Sequence, residues 1–84
     1  MRLRTDGVTW QEIDGELVIL DLNRSVYLTT NQTGAVLVGM LQGEVTGSEL
    51  VEGLVAEFDV DQAQAAADVT AFLEVLREKQ LLVD

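Results

Sequence analysis

The chain contains no cysteine and no histidine. No disulfide framework can staple it, and no thiolate can hold a metal. The commonest general base and the commonest nitrogen ligand for metals are missing as well. No nucleophile–base pair can be assembled without them, so an enzyme is the least favoured reading and no cofactor is expected. Proline is absent too, and there is no linker, internal repeat or low-complexity segment.

Positive charge is scarce. Arg2, Arg4, Arg24, Arg77 and Lys79 stand against 15 acidic residues, for a net charge of −10. A nucleic-acid binder needs a basic face that displaces phosphate counterions. This balance argues against binding to DNA or RNA, and equally against an anionic membrane. Long apolar runs are lacking: Ala35 to Leu41 falls far short of the roughly 20 residues that span a bilayer. Met1-Arg2-Leu3-Arg4 leads into no apolar signal segment, so a cytoplasmic location is the default. The acidic surface keeps the chain soluble, or steers a partner that carries basic residues.

Eighty-four residues make a single domain, 1–84, with one modest core. Val8 to Ile13 is rich in strand formers, and Asp14-Gly15 is a favoured two-residue hairpin turn. Glu16 to Leu22 is a second strand, with four consecutive apolar residues that suit cover on both faces. Asn23-Arg24 makes a second tight turn, with Asn in the left-handed region, and Ser25 to Thr29 is the third strand. Two-residue turns fix the register. They align Trp10, Ile19 and Leu28 on one face with Val8, Leu17 and Val26, and place Ile13, Val18, Leu20, Tyr27 and Thr29 on the other.

Helical signals follow. Asn31 is a plausible N-cap for a helix ending near Gly43, and Thr46-Gly47-Ser48-Glu49 fits a capping box. The second helix aligns Leu50, Leu54 and Phe58. Asp61 can cap a third running to about Gln80, with Leu81-Leu82-Val83 packing back on the core. The expected fold is α+β: a three-stranded antiparallel sheet followed by three helices. Asp59, Asp61 and Asp68 lack the glycine and terminal glutamate of a calcium loop and read as caps and solvated charges. Ser48, the one candidate for a prosthetic-group attachment, belongs to the capping box.

No strand follows the third, so its edge is open to another chain. On the third helix, Ala66, Val69, Leu73, Leu76 and Gln80 form the expected core stripe. Ala65, Phe72 and Val75 form an adjacent apolar flank, with Asp68 and Lys79 at its ends. Phe72 and Val75 either complete the core or face the open strand. In the second case, strand edge and helix flank form a groove into which an extended peptide adds a fourth strand. The same edge allows self-association through Val26 to Leu28.

These residues carry a family resemblance. The "LVILDLNRSVYL" strand pair, the segment "NQTGAVLVGMLQGEVTGSELVEGLVAEFD" and the helix end "FLEVLREKQLL" resemble the PqqD-like proteins, peptide recognition elements of ribosomal natural-product (RiPP) pathways. Its most specific parts are Tyr27, Asn31-x-Thr33-Gly34, Leu41-x-Gly43 with Thr46, and Phe72-Leu73-x-x-Leu76. Relatives commonly carry Leu where this chain has Thr30. As a stand-alone chain it is similar to the discrete leader-binding proteins of lasso-peptide biosynthesis.

The resemblance implies a winged helix-turn-helix-like fold and a non-catalytic role. A precursor's leader peptide, of the Tyr-x-x-Pro type, would bind by β-augmentation between third strand and third helix. It would then pass to a leader peptidase of the cysteine-protease type. Implied contact residues are Ser25, Val26, Tyr27, Leu28 and Thr29 on the strand, and Asp68, Val69, Phe72, Val75 and Leu76 on the helix. The alternative within the family is a chaperone presenting a precursor to a radical-SAM enzyme. Outside it, a winged-helix DNA-binding protein shares the architecture but not the charge.

Overall fold

A computed structural model describes residues 1–84. The elements run β1 (Arg2–Leu3), β2 (Val8–Ile13), β3 (Glu16–Asp21), β4 (Val26–Thr30), α1 (Gln32–Met40), α2 (Gly47–Glu57), α3 (Gln62–Glu78) and β5 (Leu82–Val83). The main antiparallel sheet has the order β2-β3-β4, and β1 pairs with β5 in a separate two-stranded ribbon. The α+β architecture of three sheet strands followed by three helices is the one expected. The terminal ribbon was not foreseen, because two-residue strands carry no periodicity to read.

The register is also as expected: Trp10 lies opposite Ile19, and Ile19 opposite Leu28. Asp14 (φ 53) and Gly15 (φ 80) supply the two left-handed residues of the first turn. The second turn differs. Its left-handed residue is Ser25 (φ 55), not Asn23, and the loop spans Leu22 to Ser25. The cause is Asp21, whose Oδ1 accepts from the backbone N–H of Asn23 (3.1 Å) and Arg24 (3.3 Å) and so shapes the loop from its first corner. Leu22 therefore leaves the strand and is exposed.

Leu17, Ile19 and Asp21 turn one face of β3 inward and are buried. The opposite face is not covered within the chain: Leu20 is 37% and Tyr27 67% exposed. The apolar run of β3 thus does not mean cover on both sides here. The core joins Leu17 and Ile19 to Leu37, Val38 and Leu41 of the first helical segment, Leu50 and Leu54 of α2, and Ala65, Val69, Leu73 and Leu76 of α3. Leu3 and Leu81 close it from the ribbon. Ala65 rather than Ala66 occupies the core stripe of α3, and Gln80 lies outside the helix, exposed.

All three helix starts are capped as the sequence signals. Asn31 Oδ1 accepts from Gly34 N (3.1 Å) and Asp61 Oδ1 from Gln64 N (2.7 Å). Thr46 and Glu49 form both bonds of the capping box. α3 ends in a Schellman motif: Leu81 N donates to Leu76 O (2.8 Å) and Gln80 N to Arg77 O (3.0 Å). Gln80 takes the left-handed position of that motif (φ 59), where glycine is the usual residue.

Candidate functional site

β4 is an edge strand, and its backbone divides by register. Leu22 N donates to Gly7 O (2.7 Å), which shows the even residues of β3 turned toward β2. Antiparallel strands alternate, so Leu17, Ile19 and Asp21 turn toward β4. Their partners are Thr30, Leu28 and Val26. The residues between them, Tyr27 and Thr29, present N–H and C=O groups to the open edge. The Tyr27 and Thr29 side chains stand on the exposed outer face, so these two positions offer backbone rather than side chain to a peptide laid along the edge.

α3 supplies the second wall. The eleven residue-to-residue steps from Asp68 to Lys79 span roughly 16 Å at about 1.5 Å each. Val26 to Thr30 spans roughly 14 Å at about 3.4 Å per residue. The two walls are matched in length. Between the end of β4, the first turn of α1 and α3 lies a cavity of about 320 Å³. Thr30, Asn31 and Gly34 form one side, Leu37 lies at its base, and Asp68, Ala71, Phe72 and Val75 form the other side.

Gly34 makes this cavity possible. A Cβ there would fall inside the side chain of Thr30, so α1 can start directly against β4 only with glycine. Thr30 is half-buried in that contact, and a larger residue in its place would need more room beside Gly34.

The expected contact residues separate into three groups. Asp68, Phe72 and Val75 are half-buried and line the cavity. Phe72 also packs against the core, so it belongs to both. Val69 (3% exposed) and Leu76 (0%) are core residues, because the α3 stripe through Ala65 and Leu73 carries them inward; they do not reach the groove. On the strand, Val26 and Leu28 are half-buried toward the helices, and Leu28 packs on the core. Ser25 lies in the preceding loop. Asp68 is the one charged side chain of the cavity, with Oδ1 accepting from Gln64 Nε2 (2.9 Å).

Two arginines that the sequence reading did not single out hold the far end. Asp21, 1% exposed, is ion-paired to Arg4. Arg4 donates further from Nε to Gln80 O (3.0 Å) and from Nη1 to Asp6 O (3.1 Å). Arg24 Nη1 donates to Lys79 O (2.9 Å). The helix C-terminus, where carbonyls lack partners and the dipole favours cations, is thereby tied to the β3–β4 loop. No motif announces this cluster; a lone aspartate at the end of an apolar strand was its only trace.

A three-stranded sheet with β2 and β4 at its edges, and with an apolar flank of α3 across a cavity from the end of β4, defines a small α+β domain. The comparisons agree with that class. The family model for coenzyme PQQ synthesis protein D (PqqD) matches residues 16–82, and the chain belongs to that family. Two solved structures are similar over essentially the whole chain. One is TbiB1 in complex with the TbiA(beta) leader peptide: TM-score 0.84, 29% identity, 100% of both chains covered. The other is lasso peptide synthetase B1 complexed with the leader peptide: TM-score 0.81, 25% identity, 99% of this chain and 96% of that one covered. Among curated proteins, none matches. No helix of the chain is long and apolar enough to cross a membrane.

Proposed function

We propose that this protein binds the leader segment of a ribosomally made precursor peptide in lasso-peptide biosynthesis, without catalysing a reaction itself. The observation that carries the reading is the likeness, over the full chain, to two proteins whose structures hold leader peptides. The open β4 edge and matched α3 flank give it a physical basis. The leader adds as a strand to β4, exchanging main-chain bonds with Tyr27 and Thr29. Its side chains on the helix side meet Phe72 and Val75, and a donor or cationic group meets Asp68.

Main-chain bonds supply affinity in this mode, and the pockets between them supply selectivity. The bound precursor then passes to a separate leader peptidase of the cysteine-protease type, with a Tyr-x-x-Pro segment as the expected element of recognition. The family model's own name favours a second reading, presentation of a precursor to a radical-SAM enzyme in coenzyme PQQ synthesis. The two share the groove and differ in the precursor.

The test is titration of ¹⁵N-labelled protein with the synthetic leader of the precursor encoded beside its gene. Amide shifts are expected at Tyr27, Thr29 and the 68–75 face of α3. Shifts confined to other surfaces would remove the groove from the mechanism, and binding only of a PQQ-type precursor would move the protein to the second pathway.

A further inference from the structure

We propose that Arg24 is a positioning residue for the groove: it straps the β3–β4 loop to the end of α3 and so holds the helix at peptide width from the β4 edge. The inference rests on the leader-binding reading and adds to it the device that sets the width of the site.

β4 and α3 run antiparallel across the groove, so each end of the groove brings together the end of one and the start of the other. At the Thr30–Asp68 end the walls are joined through α1, whose first turn is packed against Thr30 by Gly34. The cavity runs from there to Val75. One helical turn beyond Val75, Arg24 Nη1 donates to Lys79 O at 2.9 Å. β4 begins only two residues after Arg24. That bond links the loop before β4 to the helix end, beside the Arg4 bridge from the end of β3.

It is also anchored. The Arg24 backbone N–H donates to the buried Asp21 carboxylate, which is in turn paired with Arg4. Arg4 Nε donates to Gln80 O, the residue next to Lys79. Two guanidinium groups thus grip the last carbonyls of α3 from one loop and one buried carboxylate. Arg4 and Asp21 belong to the folded framework. Arg24 is exposed, and its side chain makes this one hydrogen bond and no ion pair, so its loss should cost the fold little. An exposed side chain that spans the mouth of a groove to a backbone carbonyl is placed to control the separation of the walls.

The absence of cysteine makes the separation directly measurable. Gln11→Cys on β2 and Glu74→Cys on α3 change exposed residues that do not line the cavity, and would be the only thiols for nitroxide labels. In this background, Arg24→Ala is expected to broaden and lengthen the distance distribution of the free protein. It should weaken binding of the synthetic leader about fivefold, with little change in thermal midpoint. Saturating leader should restore the distance, and Arg24→Lys, which keeps a donor, should recover part of both effects.

An unchanged distance in Arg24→Ala overturns the proposal, whether or not affinity falls; a fall without movement would make Arg24 a peptide contact instead. A changed distance with unchanged affinity overturns it as well. If the wild-type protein fails to bind the leader at all, the functional reading falls, and the distance measurement alone still decides whether Arg24 holds the walls.

Discussion

A pair of proline substitutions on adjacent residues of β4 separates the edge from the ladder. Thr29 turns its N–H to the open edge, whereas Leu28 turns its own toward Ile19. In the free protein, Thr29→Pro removes a donor that only water satisfies, and an edge strand tolerates proline at such a position. The leader loses one main-chain partner and is left with an unsatisfied carbonyl, at a cost of about 1–3 kcal/mol. At about 1.4 kcal/mol per decade, affinity should fall roughly 5- to 150-fold. Leu28→Pro removes a ladder bond and the apolar contact of Leu28 with the core, together roughly 2–4 kcal/mol. A domain of this size has roughly 4–12 kcal/mol of stability, so that variant should be near the limit of folding. Urea unfolding and fluorescence titration on both variants give the answer. If Thr29→Pro unfolds as readily as Leu28→Pro, the register is wrong. If it folds and binds the leader as tightly as wild type, the edge is not used.

Four further substitutions, in three experiments, test the surrounding frame. Phe72→Ala, at a side chain shared between cavity and core, should cost about 1.5–2.5 kcal/mol of stability, half the value for a fully buried aromatic; leader affinity should fall at least tenfold, and an unchanged affinity in the folded variant would remove Phe72 from the site. Gln80→Gly relieves a left-handed residue while keeping the carbonyl that Arg4 binds; it should stabilise by up to about 1 kcal/mol and raise the thermal midpoint by about 4–8 °C. Gly34→Ala should destabilise by about 1–3 kcal/mol by overpacking, and Thr30→Ala in the same chain should recover much of it; no recovery would show that the Thr30 contact is not what requires glycine.

The sheet register was legible because two-residue turns and a face pattern fix it together: Asp14-Gly15 and the alignment of Trp10, Ile19 and Leu28 left little freedom. The helix starts were legible because capping is local chemistry, seen in Asn31, Thr46 and Asp61. The second turn was not, because its geometry follows from Asp21, whose burial depends on Arg4, seventeen residues away. The core stripe of α3 was misplaced by one residue at Ala65, since periodicity defines a face only to within the angle between neighbouring residues. Periodicity did put Val69 and Leu76 on the core stripe, where they lie; the family resemblance was what added them to the expected contact set. The terminal ribbon and the arginine cluster join distant segments, which no local pattern records.

The charge of the chain has a kinetic consequence. Three of its fifteen carboxylates are ion-paired, with the N-terminus, Arg4 and Arg77, so twelve remain unpaired. Of the cations, Arg4, Arg24 and Arg77 are engaged with carboxylates or carbonyls. The net charge of −10 makes the overall field of the chain negative, and within the cavity Asp68 carries that sign. A precursor with basic residues would be drawn to it from beyond contact. The range of this attraction is the Debye length, about 30 Å at 0.01 M salt and about 3 Å at 1 M. Stopped-flow association of a basic leader should slow by tenfold or more across that range. Dissociation should change far less, because the strand pairing and apolar contacts that hold the complex are short-ranged. Neutralising the peptide's lysines and arginines should flatten the association slope. A slope that persists with the neutral peptide, or an association rate indifferent to salt with the basic one, would refute steering and leave the acidic surface a role in solubility alone.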